Sequence, residues 1–241
     1  MKKYLALLIA LFATAAILPA VDFSLSVGGG GLLGYNFTRY TLERGSVKST
    51  QSMDRLNYGG GLFFDATYGE FSVTFQGGYS SYTEKMMYGA NTLSNVTGNG
   101  FEAILGFSLL GKYPFRINEK ITCFPLLGVE YQIALIEKRQ PEGGVVYDRT
   151  KGYLTEDRNK DGKTYPLSAW NSWWVDIGAG LDYNFTGPFF LRSELIFGFR
   201  LPTSYEKGAL ERVEKQFDVK DPKLKGLTGG PALKISLGYH I

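Results

Sequence analysis

The chain has 241 residues, of which 26 are basic, 23 are acidic, one is histidine and 44% are hydrophobic. This near balance of charge gives no reason to expect nucleic acid as a partner, and the single cysteine, Cys123, excludes an internal disulfide. The 31 glycines and the 15% aromatic content are together typical of closely packed strands and of rings at a membrane interface.

The N-terminus has the pattern of a secretory signal peptide. A basic start precedes an apolar run over residues 4–18, and cleavage after Ala20 leaves 24 basic and 23 acidic side chains. Ala13-Thr14-Ala15 is an alternative cleavage site. A membrane anchor that stays attached is the other interpretation, but crossing a bilayer takes about 20 apolar residues. We predict a signal peptide over residues 1–20 and one domain over 21–241.

Apolar and polar residues alternate along most of the remaining chain, as they do in strands whose two faces meet different environments. A transmembrane strand needs about 9 to 11 residues, whereas a soluble strand is usually about 5 or 6 residues long. The fold predicted is all-β, an eight-stranded antiparallel up-and-down transmembrane β-barrel. The predicted strands cover residues 23–40, 55–68, 71–83, 100–113, 121–135, 172–185, 189–201 and 231–241.

The predicted connections differ in length in a regular way. Outer-membrane barrels have an even number of strands, short periplasmic turns and long extracellular loops. With both termini in the periplasm, the long connections lie outside the cell. The short connections are 69–70, 114–120 and 186–188, and the long ones are 41–54, 84–99, 136–171 and 202–230.

Aromatic residues of the apolar faces collect at both ends of the predicted strands, which predicts the two girdles of a membrane barrel. A soluble barrel with inward apolar faces is the alternative, but eight strands enclose an interior only just wide enough for side chains. One predicted girdle contains Tyr35, Phe37, Tyr58, Tyr79, Phe101, Tyr131, Trp173 and Phe199, and the other contains Phe23, Tyr68, Phe71, Tyr113, Tyr183, Phe185, Phe189 and Tyr239.

The opposite faces of the strands carry charged residues, which predicts a polar lumen because charges on the lipid face are costly. A salt-bridged plug that closes the barrel and a narrow gated conduit both fit this pattern. The predicted lumen network is Glu130, Asp176, Asp182, Arg192, Glu194, Arg200 and Lys234, and Asp65, Glu102, Lys112 and Gln132 are also predicted to face inward.

The register of the sixth and seventh strands follows from their short turn. Outward residues are odd-numbered in both strands. If Phe185 faces Phe189, the residue numbers of any two facing residues add up to 374. This register predicts a salt bridge between Asp182 and Arg192 and a cation–π contact between Trp174 and Arg200. A tighter turn would instead place Phe190 opposite Asp182, and we prefer the first register because it pairs a buried charge that is costly to leave alone.

Two polar features of the sequence have candidate chemistry. Asp157, Asn159 and Asp161 have the spacing of the first calcium ligands in a calcium loop, but Ser168 stands where a bidentate Glu belongs. We therefore predict weak Ca²⁺ binding as the only cofactor interaction. His240 is the single histidine, at the periplasmic end of the last strand, and we predict that it caps the barrel. The sequence predicts no enzyme.

The terminal strand has apolar residues on one face, with an aromatic residue third from the end. It resembles the C-terminal targeting strand of bacterial outer-membrane β-barrels, and the mature chain resembles the small eight-stranded family that includes OmpX, the OmpA barrel and OmpW. The resemblance implies the bacterial outer membrane as location, with outer-membrane lipid and the barrel assembly machinery as partners. The outward face of the terminal strand consists of Leu233, Ile235, Leu237, Tyr239 and Ile241.

Members of that family serve as adhesins, as membrane-anchoring plugs or as conduits for small hydrophobic compounds. Our functional prediction is a surface-exposed structural or adhesion barrel, in which loops 136–171 and 202–230 bind a host or matrix ligand. An OmpW-like barrel that passes small or hydrophobic solutes is the alternative, although a charged lumen departs from an apolar conduit.

Overall fold

The structure, a computed structural model, describes residues 24–44, 46–141, 147–148, 153–154, 165–166, 171–203 and 223–241. Its eight long strands are β1 (Leu25–Arg44), β2 (Val47–Ala66), β3 (Gly69–Tyr88), β4 (Asn91–Lys112), β5 (Ile121–Pro141), β6 (Ser172–Asn184), β7 (Phe189–Arg200) and β8 (Lys223–His240). Two-residue strands occur at Phe115–Arg116, Tyr147–Asp148, Tyr153–Leu154 and Tyr165–Pro166. The predicted signal peptide lies outside the described residues.

The long strands form one closed antiparallel ring. Each strand pairs with its neighbour in sequence, and β8 pairs with β1 from Ser26 opposite His240 to Glu43 opposite Lys223. Closure satisfies the backbone hydrogen bonds of the edges that an open sheet would expose. The predicted eight-stranded up-and-down fold is confirmed. None of the described residues forms a helix long and apolar enough to span a bilayer.

The two faces of the ring have opposite character. In β6, the odd-numbered residues from Trp173 to Tyr183 are exposed on the outside, and Trp174, Asp176 and Asp182 are buried inside. The outward residues of the terminal strand also lie outside, where each is at least 40% exposed. Such exposure of large apolar side chains over the whole circumference is stable only where lipid covers them.

Rings on the outer surface form the two predicted girdles, the outer girdle near the extracellular connections and the inner girdle near the periplasmic turns. Phe23, predicted for the inner girdle, lies outside the described residues. Neighbouring rings of the outer girdle include Tyr58 and Tyr79 (6.2 Å), Tyr79 and Phe101 (5.2 Å), and Tyr131 and Trp173 (4.8 Å). Neighbouring rings of the inner girdle include Tyr68 and Tyr113 (6.2 Å), Tyr183 and Phe185 (5.5 Å), and Phe189 and Tyr239 (5.2 Å). Trp173 and Tyr183 are ten residues apart, which spans roughly 25 Å in a strand tilted by about 40°. This height matches the apolar band of a membrane barrel, and the architecture places the protein in a bacterial outer membrane.

The prediction that residues 41–54 and 84–99 form extracellular loops is wrong. Residues 41–54 and 84–99 belong almost entirely to strands, because β1 pairs with β2 as far as Arg44 opposite Val47, and β3 with β4 as far as Tyr88 opposite Asn91. Above the outer girdle both strand faces meet water, so the hydrophobic alternation ends although the backbone ladder continues. Threonine, which suits strands, occurs at four positions in these segments: Thr41, Thr50, Thr92 and Thr97.

The extracellular rim is therefore uneven. The strands β8 and β1–β5 continue beyond the outer girdle, and we call these extensions the extracellular wall. By contrast, β6 begins at Ser172 and β7 ends at Arg200, next to the girdle residues Trp173 and Phe199. Most of the other two predicted loops lies outside the described residues. The third long connection is shorter than predicted because β5 extends to Pro141. The fourth is shorter than predicted because β8 starts at Lys223.

Candidate functional site

A buried arginine in the periplasmic half of the lumen joins side chains from several strands. Arg192 of β7 donates through Nε to Asp182 Oδ1 at 2.7 Å and through a terminal nitrogen to Asp182 Oδ2 at 2.8 Å. The same guanidinium donates to Glu70 Oε2 at 2.6 Å and to Asp65 Oδ2 at 2.9 Å. Lys112 Nζ donates to Asp65 Oδ2 at 2.6 Å. Two cations thus balance most of the charge of three carboxylates in a largely buried site.

Three inward phenylalanine rings surround this guanidinium. The Arg192 Cζ atom lies 4.8 Å from the Phe63 ring centroid and 5.1 Å from those of Phe124 and Phe190. These distances are within the range of cation–π attraction, which is stronger for desolvated cations. We call Arg192, Asp65, Glu70, Lys112, Asp182 and the three rings the Arg192 cluster.

Glycines on the adjacent strands make room for these rings. Gly180 lies opposite Phe124, and Gly238 lies opposite Phe190. A Cβ atom at either glycine would overlap the facing ring. The high glycine content of the chain therefore has a packing function here, because eight strands enclose little space.

The middle of the lumen contains a second set of buried polar groups. Glu194, Lys234, Asp176 and Glu130 are each at most 9% exposed, and Gln132 donates to Glu130 at 2.7 Å. Among the described residues, no group of three or more His, Cys, Asp or Glu side chains can hold a metal ion.

Side chains also cross the lumen near the outer girdle. Arg55 pairs with Glu102, and Arg200 donates to the Tyr40 hydroxyl at 2.9 Å and to Thr228 at 3.3 Å. Polar contacts therefore occur at every level of the lumen.

The cavities are small in the middle of the lumen and larger at its periplasmic end. Two cavities of about 20 and 40 Å³ lie along the middle of the lumen, room for about one and about three water molecules. A larger cavity of about 640 Å³ lies at the periplasmic end. Its lining includes the turn residue Gly187 at one end and Phe124 and Asp182 of the Arg192 cluster at the other.

The predicted register of β6 and β7 is confirmed. Asp182 faces Arg192 and Trp174 faces Arg200, as the sum of 374 requires. The predicted salt bridge between Asp182 and Arg192 is also confirmed, whereas the cation–π contact of Trp174 with Arg200 stays a prediction. The structure places the whole predicted lumen network inside the barrel: Glu130, Asp176, Asp182, Arg192, Glu194, Arg200 and Lys234.

The sequence interpretation missed part of the Arg192 cluster. Glu70 was assigned to a two-residue turn, yet it is 2% exposed and binds Arg192. Phe63, Phe124 and Phe190 occupy polar-face positions of their strands, and a glycine opposite each of them was the available signal. Their grouping around one cation needs the closed barrel, because they come from β2, β5 and β7.

His240 lies at the periplasmic end, as predicted, where it connects strands. Its Nδ1 is 3.0 Å from the Ser26 hydroxyl, its Nε2 is 3.1 Å from Asn184 Oδ1, and its ring stacks on Phe190 at 4.5 Å. The last strand is thereby tied to β1 and to β6.

The candidate calcium ligands Asp157, Asn159 and Asp161 lie outside the described residues, so calcium binding stays a prediction. We expect millimolar Ca²⁺ to raise the resistance of the connection around residues 142–171 to protease, since bound cations order acidic loops. Asp161→Ala should abolish the protection, and Asp218→Ala, in the other long connection, should leave it unchanged. Equal cleavage rates with and without Ca²⁺ would refute the site.

Solved structures of bacterial outer-membrane proteins are similar to this chain. OprG from Pseudomonas aeruginosa is 12% identical with a TM-score of 0.43, over 90% of this chain and 95% of that chain. Ail of Yersinia pestis, solved with the heparin analogue sucrose octasulfate, is 14% identical with a TM-score of 0.30, over 90% and 99%. Neisserial surface protein A is 12% identical with a TM-score of 0.32, over 88% and 98%. Similarity at this level assigns no ligand, activity or residue role.

No protein-family model and no curated protein sequence matches the chain.

Proposed function

We propose that the protein is a closed surface barrel of the outer membrane, which acts as a structural or adhesion protein through its extracellular side. The observation that carries this proposal is the Arg192 cluster. Its side chains come from six strands, β2–β7, and contact one another across the periplasmic half of the lumen, which supports a closed lumen. With the lumen closed, the extracellular wall and the two long connections are the surfaces that can bind a partner.

Conductance in planar bilayers tests whether the lumen is closed. We expect the wild-type barrel to give no stable single-channel steps, because several charge-assisted hydrogen bonds hold the cluster in place. Asp182→Ala removes the two-point anchor of Arg192 and should produce intermittent openings, which also shows that the assay detects a loosened cluster. Steady channels in the wild type would support the alternative, a conduit for small solutes.

Adhesion measurements test the interaction role. In a shortened variant, residues 82–98 are replaced by Asn-Gly, a turn that joins the facing residues Ser81 and Asn99 with the twist of a hairpin. Cells that display the wild type should adhere to immobilised extracellular-matrix proteins, and the shortened variant should lose most of this adhesion. A heat-dependent shift on a detergent gel verifies that the variant barrel still closes. Undiminished adhesion would remove the wall from the proposal.

A further inference from the structure

The buried lumen below the outer girdle contains more carboxyl groups than cations. Among the described residues, the Arg192 cluster and the polar groups in the middle of the lumen together contain six carboxyl side chains and three cations. If every group were charged, three negative charges would lack a counterion, which is costly where little water solvates them. The carboxyl residues are Asp65, Glu70, Glu130, Asp176, Asp182 and Glu194, and the cations are Lys112, Arg192 and Lys234.

Two of these carboxyl groups contact each other. Glu70 and Glu194 are each 2% exposed, and their side chains lie within hydrogen-bonding distance of each other. Without a proton neither group has a hydrogen to donate, and Glu194 Oε1 has no hydrogen-bond partner among the described residues. A single proton supplies the missing donor. Because Glu70 accepts a hydrogen bond from Arg192 at 2.6 Å, the negative charge stays on Glu70 and the proton is on Glu194.

Asp176 and Glu130 form a second carboxyl pair. They are 5% and 9% exposed and border the cavity of about 40 Å³ in the middle of the lumen. Glu130 faces Trp174, which is two residues from Asp176 on the same face of β6, so the two carboxyl residues are diagonal neighbours with Cβ atoms roughly 7 Å apart. Gln132 donates to Glu130 at 2.7 Å, which stabilises the charge on Glu130. The burial of Asp176 and the charge of Glu130 therefore place the second proton on Asp176.

One ammonium group serves both pairs. Lys234 faces Glu194 across β7 and β8, and it borders the same cavity as Asp176. A metal ion does not supply the remaining balance, since no group of three or more acidic, His or Cys side chains in the described part of the chain can hold one. Two protons leave four carboxylates for three cations. The charged groups around Glu194 are Glu70, Arg192 and Lys234, and those around Asp176 are Glu130 and Lys234.

We infer that the closed lumen binds protons, one on Glu194 and one on Asp176, and that their loss opens a path for small cations. The inference rests on the closed lumen of the proposed function. Deprotonation adds a negative charge beside Glu70 and another beside Glu130, and the repulsion within each pair separates side chains that pack together inside the barrel. The loosened lumen is lined by an excess of carboxylates, so it selects cations.

The unfolding equilibrium of the mature barrel in lipid vesicles, measured at several pH values, counts the protons. Carboxyl groups of an unfolded chain lose their protons near pH 4. Each proton that the folded barrel retains above that pH therefore lowers the folding equilibrium constant about tenfold per pH unit as the pH rises, until the folded barrel releases the proton. The wild type should retain about two such protons in the lumen.

Amide variants assign the protons to residues. Glu194→Gln and Asp176→Asn should each retain about one proton fewer than the wild type, because an amide imitates the size and neutrality of a protonated carboxyl group. The difference between variant and wild type cancels the titration of His240 and of the chain termini. The matched control is Glu119→Gln, which changes an exposed carboxylate at the periplasmic end and should keep the wild-type slope. A heat-dependent gel shift verifies that each variant barrel closes.

Infrared spectroscopy and conductance give readouts that do not depend on unfolding. The folded wild type at neutral pH should show the carbonyl band of a protonated carboxyl group, and Glu194→Gln and Asp176→Asn should each lose part of it. In planar bilayers, the wild type should remain closed at neutral pH and show cation-selective openings when the pH is raised to about 9, where lysine is still charged. The double amide variant should stay closed at both pH values.

The outcomes separate this inference from the proposed function. Steady wild-type channels at neutral pH would refute the closed lumen and leave the proton count intact. Equal pH slopes in the wild type and both amide variants, or a folded barrel without the carboxyl band, would overturn proton binding. A slope that changes when Na⁺ is exchanged for a large organic cation at constant ionic strength would also overturn it, because a bound metal ion would then balance the charge. A wild type that stays closed at the higher pH would overturn the opening.

Discussion

Arg192→Ala is expected to lower the free energy of unfolding of the barrel by about 3 to 5 kcal/mol, the typical effect of removing one partner from a buried ion pair. The substitution leaves Asp182 and Glu70 without the guanidinium that both bind. It also removes the cation between the Phe63, Phe124 and Phe190 rings and opens space that they fill only in part. Urea unfolding in lipid vesicles, followed by tryptophan fluorescence, measures the change.

Arg39→Ala is the matched control, because it also removes an arginine that binds an aspartate with two hydrogen bonds. The pair of Arg39 with Asp54 is exposed, with 49% and 36% of the two side chains accessible. We expect a change of no more than about 1 kcal/mol, since solvent screens exposed pairs. Arg192→Lys should fall between the two, because an ammonium group keeps the charge and loses the planar donor geometry. If Arg192→Ala and Arg39→Ala have equal effects, the cluster does not stabilise the barrel.

Deletion of residues 239–241 is expected to prevent assembly almost completely. It removes Tyr239, which packs on Phe189 at 5.2 Å, and the hydrogen bonds from His240 N to Pro188 O at 2.8 Å and from Ile241 N to Leu25 O at 2.9 Å. These contacts close the ring at its periplasmic end. The fraction of protein that shows a heat-dependent gel shift in isolated outer membranes should fall at least about tenfold.

A pair of point substitutions tests the effect of the lipid-facing surface on assembly without shortening the chain. Leu237→Asp places a carboxylate at a side chain that is 53% exposed on the lipid face, and it should also impair assembly because charge is costly there. Thr83→Asp makes the same addition on the outward face above the outer girdle, where water is present, and should assemble normally. Normal surface display of the deletion or of Leu237→Asp would contradict the assigned membrane face.

The sequence determined the features that depend on consecutive residues. Alternation predicted eight strands and the face that each residue occupies, as in the outward row of β6. The short turn allowed two registers of β6 with β7, and the charge of Asp182, which needs a partner such as Arg192, selected the observed one. These features follow from the two-residue period of a strand and from turn length, both of which are local properties of the chain.

Only the tertiary structure decided which distant residues meet across the lumen. Glu70 and Asp65 reach Arg192 over sequence separations of 122 and 127 residues, and their contacts depend on how far the strands tilt and shift when the ring closes. The height of the extracellular wall was likewise decided by pairing. Above the membrane no apolar environment imposes a hydrophobic period, so the continuing strands are held by backbone hydrogen bonds, which the side-chain pattern does not record.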